Sequence, residues 1–205
     1  MNSSAAWSRR PWVLPAACLA LGMLVRLGLI WAVPSNYSFD GFQRWAGREG
    51  LLVQDWLPMT QAVMVGNEWL GGDLQSARVV LALFASLGMA MAAVVARRLG
   101  GPMAGWSFVP LSLFGPALTW TVVPYQEGTY LALAMTGLAL ALQARDMPER
   151  RVLRWSADLL MGATALCRTE GWVLVGLYML WWRDRGSLRC LWGMGLWLGW
   201  KWGLG

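Results

Sequence analysis

Three groups of polar side chains in this chain stand inside or against long apolar runs, where charge is expensive and therefore informative. Arg26 interrupts the run from 13 to 33, Tyr125-Gln126-Glu127 separates two further runs, and Arg168 and Glu170 interrupt the stretch from 155 to 182. An unpartnered guanidinium in hydrocarbon costs about 3 kcal/mol or more, so each arginine requires a neighbouring acid or an anionic ligand. A fourth candidate, Asp40, follows the first run within Phe39-Asp40-Gly41-Phe42. Apolar neighbours raise a carboxylate's pKa and make it a usable base, whereas the same position also suits the N-cap of a following helix.

What is missing bounds the chemistry. The 205 residues include no histidine, which excludes Ser-His-Asp and Cys-His catalysis and imidazole-bound metals. Cys18, Cys167 and Cys190 lie in or beside apolar runs without metal-ligand spacing. They read as buried packing residues, not as a zinc site or a disulfide framework. Carboxylates that move protons and arginines that hold anions remain.

The elements that position these groups follow from composition. With 57% hydrophobic residues, 14% charged residues and 16 tryptophans, the chain has the make-up of a membrane protein. Its net charge of +6 is that of basic membrane loops, and no nucleic-acid partner is expected. Candidate spans occupy 13–33, 79–96, 99–123, 129–144 and 191–205. The third carries Pro102, Pro110 and Pro116, so it should be kinked or begin late. The stretch 155–182 is either one span with a buried charge pair or two short helices. Two short helices put Arg183, Arg185 and Arg189 on the side of Arg9-Arg10, Arg97-Arg98 and the basic loop 145–151, as the positive-inside rule asks. The fold expected is therefore all-α and polytopic, with about seven transmembrane helices.

On that topology 11 of the 17 basic residues lie on one side and seven of the 11 acids on the other. The N-terminus is expected in the cytoplasm, and the chemistry on the outer, periplasmic face of a bacterial inner membrane. The first outer loop, 34–76, should hold two interfacial helices. One lies within 40–54; the other begins at Met59, where Ala62, Val63, Gly66, Trp69 and Leu70 recur at helical spacing behind Pro58.

Arg26-Leu27 near the end of the first span, Asp40 in the first outer loop, Trp56-Leu57-Pro58 with Gln61, the Glu127 motif opening the fourth span and Arg168-Thr169-Glu170-Gly171-Trp172 together resemble the GT-C glycosyltransferases over most of the chain. The resemblance implies an integral membrane enzyme, similar to mannosyltransferases of the GPI-anchor type and to protein O-mannosyltransferases. Such an enzyme takes a sugar from a polyprenyl-phosphate donor and passes it, with inversion, to an acceptor on the outer face. The family's first-loop aspartate is the catalytic base, and by motif it falls on Asp40.

Arg168, with Arg26 or Arg44 in reserve, would grip the departing phosphate. Tyr125, Gln126, Glu127, Glu170, Trp56 and Gln61 would bind or orient the substrate. Glu127 and Glu170 could equally orient Arg168 or hold a divalent Mg or Mn ion, although no motif demands a metal. Trp45, Trp56 and Trp172 are candidates for sugar stacking. The family's variable C-terminal half has no counterpart before Gly205, so residues 1–205 correspond to its N-terminal module as a single unit. A non-catalytic subunit that completes a larger enzyme beside a second membrane chain is the alternative. Membrane lipids are partners in either case.

Overall fold

The computed structural model describes residues 12–33, 46, 58–111, 113 and 126–203, and among these the regular structure is entirely helical. Asp40, Arg44, Trp45, Trp56, Tyr125 and the helix expected within 40–54 lie outside the described residues. The described elements are α1 (Val13–Ala32), α2 (Met59–Trp69), α3 (Leu74–Trp106), α4 (Phe108–Leu111), α5 (Glu127–Asp146), α6 (Arg151–Thr164), α7 (Glu170–Trp182), a 3-10 helix (Arg185–Leu191) and α8 (Trp192–Gly203).

Of the seven membrane helices expected, two described ones, α1 and α3, are long and apolar enough to cross a bilayer alone. The reasons for the difference are local. Helix α5 has 20 residues, but its apolar stretch is bounded by Glu127 and by Gln143, Arg145 and Asp146. Helices α6 and α7 have 14 and 13 residues, about 20 Å each, and α6 carries Arg151, Arg154 and Asp158. The last run is divided between the 3-10 helix and the 12 residues of α8.

Helices α1 and α3 pack antiparallel. Arg26 near the middle of α1 donates to Ser86 Oγ (3.4 Å), and Arg78 near the start of α3 donates to the carbonyl of Val33 (2.8 Å). The face of α3 that packs inward is built of Ala77, Ala82, Ala85, Gly88, Ala92 and Ala93, all buried. Small residues let helix backbones approach closely, and dispersion then replaces the hydrophobic effect as the packing force in an apolar solvent. Gly88 meets the backbone of Ala132 in α5 in this way.

At Gly101 α3 breaks, with φ 83° and ψ −176°, a conformation that glycine adopts without a Cβ clash. Pro102 follows and cannot extend the preceding helix. The chain then doubles back, so that Gly105 lies beside the Ala93 carbonyl and the Arg97 Cβ. The third apolar run thus begins late, at Pro102.

Between 155 and 182 the chain forms two helices that run antiparallel. The Trp172 indole N–H donates to the Ala165 carbonyl (3.0 Å), the Tyr178 hydroxyl to Asp158 Oδ1 (2.8 Å), and the Arg154 guanidinium lies 3.5 Å from the centre of the Trp182 ring. Each contact joins residues progressively farther from the 165–169 turn. The loops 147–150 and 183–184 therefore sit at the same end of the hairpin.

Candidate functional site

The site is organised around that turn. Helix α6 ends as its hydrogen bonds tighten from the α pattern to three-residue spacing, with Leu166 N–H donating to Ala163 (3.1 Å) and Cys167 N–H to Thr164 (3.0 Å). Gly171, in the first turn of α7, presses against the Thr164 carbonyl, which leaves no room for a Cβ. The glycine of the Arg-Thr-Glu-Gly-Trp motif is thus a packing requirement of the turn.

From this turn Arg168 reaches two carboxylates. Its Nε and one terminal nitrogen donate to the two oxygens of Glu170 (3.1 and 2.8 Å), and the other terminal nitrogen donates to Glu127 Oε1 at the start of α5. Glu170, first by hydrogen bonding, and Glu127, by its charge, hold the guanidinium above its ordinary pKa against the opposing effect of partial burial. The trio is open to solvent on one side: the Arg168, Glu127 and Glu170 side chains are 29%, 37% and 59% exposed.

Among the described residues three of the five N–H groups of Arg168 find acceptors, and the trio carries one negative formal charge overall. An arginine so placed orients its carboxylates. To grip a phosphate with both prongs it must first release one of them.

Helix α2 docks on the same turn, its Met59 N–H donating to the Leu166 carbonyl (3.0 Å). The next two side chains, Thr60 and Gln61, are 0% and 1% exposed. The Thr60 hydroxyl, the Gln61 amide, Glu127 Oε2 and the Thr129 hydroxyl are all buried and, among the described residues, lack a hydrogen-bond partner. A buried polar group left unpaired costs about 1–3 kcal/mol, so each of these atoms favours a further polar partner. Gln61 and Glu127 were legible in the sequence. Thr60 and Thr129 were not, since a hydroxyl beside a candidate residue gives no signal of its own.

The other expected residues are distributed differently. Arg26 is wholly buried between α1 and α3, where it donates to the Gly22 carbonyl (3.1 Å) and to Ser86; it is engaged there and not in the trio. Gln126 stands at the N-cap of α5, and its carbonyl accepts from Tyr130 (2.9 Å). Trp172 uses its indole N–H to tie α7 to the turn.

Two charged residues escaped sequence reasoning. Arg78 is 1% exposed and also donates to Gln75 Oε1 (3.0 Å); it borders an apolar run, whereas Arg26 was singled out by standing inside one. Asp158 is 1% exposed and binds Arg154, Arg189 and Tyr178 at the opposite end of the hairpin. Among the described residues no three His, Cys, Asp or Glu side chains form a group that could hold a metal. The chain matches no protein-family model, no curated protein and no solved structure.

Proposed function

We propose that this chain is a membrane glycosyltransferase of the GT-C kind, passing a sugar from a polyprenyl-phosphate donor to an acceptor on the outer face. The observation that supports this most is the convergence at the 165–169 turn. The first turns of α5 and α7 bring Glu127 and Glu170 onto Arg168, and α2 docks on the same turn through Met59, next to Thr60 and Gln61, whose buried polar atoms lack a partner among the described residues. A polyhydroxylated substrate supplies donors and acceptors for such atoms.

In the proposed reaction Asp40 accepts the proton of the acceptor hydroxyl. The oxygen attacks the anomeric carbon, the carbon–oxygen bond to the phosphate breaks with its electron pair leaving on the phosphate, and the anomeric centre inverts. A lipid phosphate is a good leaving group, so the needs are a base and positive charge near the leaving oxygen. Arg168, released from one carboxylate, supplies that charge, while Glu127 and Glu170 position it.

The reading carries the seven-helix topology with it. Helix α1, the long part of α3, the run from Pro102, α5, α6 and α7 are six crossings, the last two short. Helix α8, entered through the 3-10 helix, makes the seventh. The N-terminus and the basic loops face the cytoplasm of a bacterial inner membrane, and the turn faces the periplasm.

A second reading, a non-catalytic subunit completing a larger membrane enzyme, is favoured by the closed pairing of Arg168 with two carboxylates. The deciding experiment is an assay of the reconstituted chain with polyprenyl-phosphate sugars. Transfer that falls by about 10² to 10⁴ in Asp40→Asn, with folding intact, supports catalysis. Near wild-type turnover in that variant removes Asp40 from the reaction. Absence of transfer by the native chain, together with co-purification of another multi-span protein, supports the subunit.

A further inference from the structure

At the end of the bundle away from the Arg168 turn, α3 and α5 leave a cleft of about 330 Å³ lined by Arg98, Leu142, Arg145 and Asp146. The two arginines come from helices 47 residues apart in sequence and carry one more positive charge than the single acid balances. Arg98 donates to Asp146. Arg145 does not share that acid: its guanidinium lies 5.8 Å from the Trp181 ring and, among the described residues, makes no hydrogen bond or ion pair. Leu142, one helical turn before Arg145 in α5, sets an apolar side chain beside the arginines of the cleft, and Leu99, next to Arg98 in sequence, is 72% exposed.

Two arginines beside Leu142, with the exposed Leu99 next to Arg98, suit a phospholipid: phosphate on the guanidinium groups, glycerol and acyl carbons on the leucines. We infer that this cleft binds the phosphate of an anionic phospholipid, with Arg145 as its principal ligand and Arg98 as the second. The unbalanced charge favours an anionic headgroup over a zwitterionic one, whose phosphate already has an internal cation. Arginine suits the role because its planar donors match two phosphate oxygens at once. The inference rests on the membrane part of the proposed function and is independent of any catalytic activity. Free phosphate shares the chemistry of the arginines but makes no use of Leu142 or Leu99.

The test is the melting temperature of the purified full chain in detergent, titrated with phosphatidylglycerol, phosphatidylcholine or inorganic phosphate. Phosphatidylglycerol should raise it and the other two should not at matched concentration. In Arg145→Gln the half-saturating phosphatidylglycerol concentration should rise about tenfold, the loss expected for one charge-assisted contact. Arg150→Gln, exposed and outside the cleft, should respond like the native chain. Asp146→Asn, which frees Arg98, should lower the half-saturating concentration, so the inference stays testable if Arg145→Gln folds poorly.

An unchanged response in Arg145→Gln, an equal loss in Arg150→Gln, or no tightening in Asp146→Asn would overturn the site. A response to inorganic phosphate equal to that for the lipid would overturn it as a lipid site. Vesicle flotation separates the two levels: a chain that does not insert sinks the membrane reading and the lipid site with it, whereas insertion without headgroup preference sinks the site alone.

Discussion

The guanidinium of Arg168 reaches back across 41 residues of sequence to the carboxylate of Glu127, joining the turn of the α6–α7 hairpin to the start of α5. Glu170, two residues on, holds the same guanidinium by two further hydrogen bonds. One cation thus ties together three helix ends, the end of α6 and the starts of α5 and α7. The contacts that make Arg168 a structural clasp are the ones a phosphate would have to displace.

That competition gives a measurable consequence. If Arg168 is chiefly a clasp, Arg168→Gln leaves Glu127 and Glu170 facing each other at a partly buried position, and stability falls by roughly 1–3 kcal/mol after allowance for solvent exposure. Glu170→Gln in the same chain then restores part of the loss. If Arg168 chiefly grips the donor phosphate, Arg168→Lys keeps charge but loses the two-pronged contact, and donor affinity drops with little change in melting temperature. Melting curves and donor affinities for the two single variants and the double distinguish these outcomes. Normal donor affinity in Arg168→Gln, with stability repaired by Glu170→Gln, rules out the phosphate role.

The antiparallel α6–α7 pair places residues 148 and 186 at one end of the bundle and residue 127 at the other. Single cysteines at 98, 148 and 186 should label from the cytoplasmic side, and one at 127 from the outside, in a background where Cys18, Cys167 and Cys190 are replaced. Labelling of 186 from the outside would contradict the hairpin, since Arg154 and Trp182 could not then be in contact.

Several of these features were legible because charge and proline punctuate an apolar chain sharply. The interruption at Arg168 and Glu170 marked a hairpin, Pro58 marked the start of α2, and the prolines of the third run marked its late beginning. The partners of the charges were not legible. Arg154 and Asp158 stand four residues apart on one helix, a spacing visible in sequence, but the second cation on Asp158 is Arg189, 31 residues away.

Without that pairing Arg185 and Arg189 read as loop residues before the run from 191. The 3-10 helix that precedes it buries Ser187 and Cys190 and can do so because Asp158 neutralises Arg189. Sequence position also could not show that the first turns of α2 and α5 meet at one short turn, since a contact of that kind depends on how four separate helices pack.

Asp73 offers a pH-dependent check on the α2–α3 junction. Its carboxylate caps α3 by accepting from the Ser76 backbone N–H (2.8 Å), which, with the Ser76 hydroxyl, holds its pKa below the usual carboxylate value. Because the folded value is depressed, the cap's contribution is fully present above the unfolded pKa and is lost as pH falls through the folded one. The stability difference between the native chain and Asp73→Ala should therefore be constant above about pH 5 and shrink on acidification. A difference that grows as pH falls would mean that Asp73 does not act as an ionised cap.

The last prediction concerns Asp158, the most heavily bonded acid among the described residues. Its two oxygens accept from Arg154 Nε (2.9 Å), from two nitrogens of Arg189 (2.9 and 2.6 Å) and from the Tyr178 hydroxyl (2.8 Å), while its side chain is 1% exposed. Arg154 is also shared with Asp184, so two arginines face two acids and the cluster is neutral. Removing one partner from a buried, neutral cluster strands charge in a place that cannot hydrate it. Asp158→Asn should therefore destabilise the chain by about 3–5 kcal/mol. Asp184→Asn, whose side chain is 48% exposed, should cost about 1 kcal/mol or less, because water and salt screen the guanidinium left behind. Tyr178→Phe removes a single hydrogen bond and should fall near the lower figure, about 1 kcal/mol. Detergent melting of the three variants gives the ranking directly. If Asp158→Asn melts no lower than Asp184→Asn, the cluster is not what fastens the 3-10 helix to the hairpin, and α8 must be held through Trp192 and Gly193 against α6.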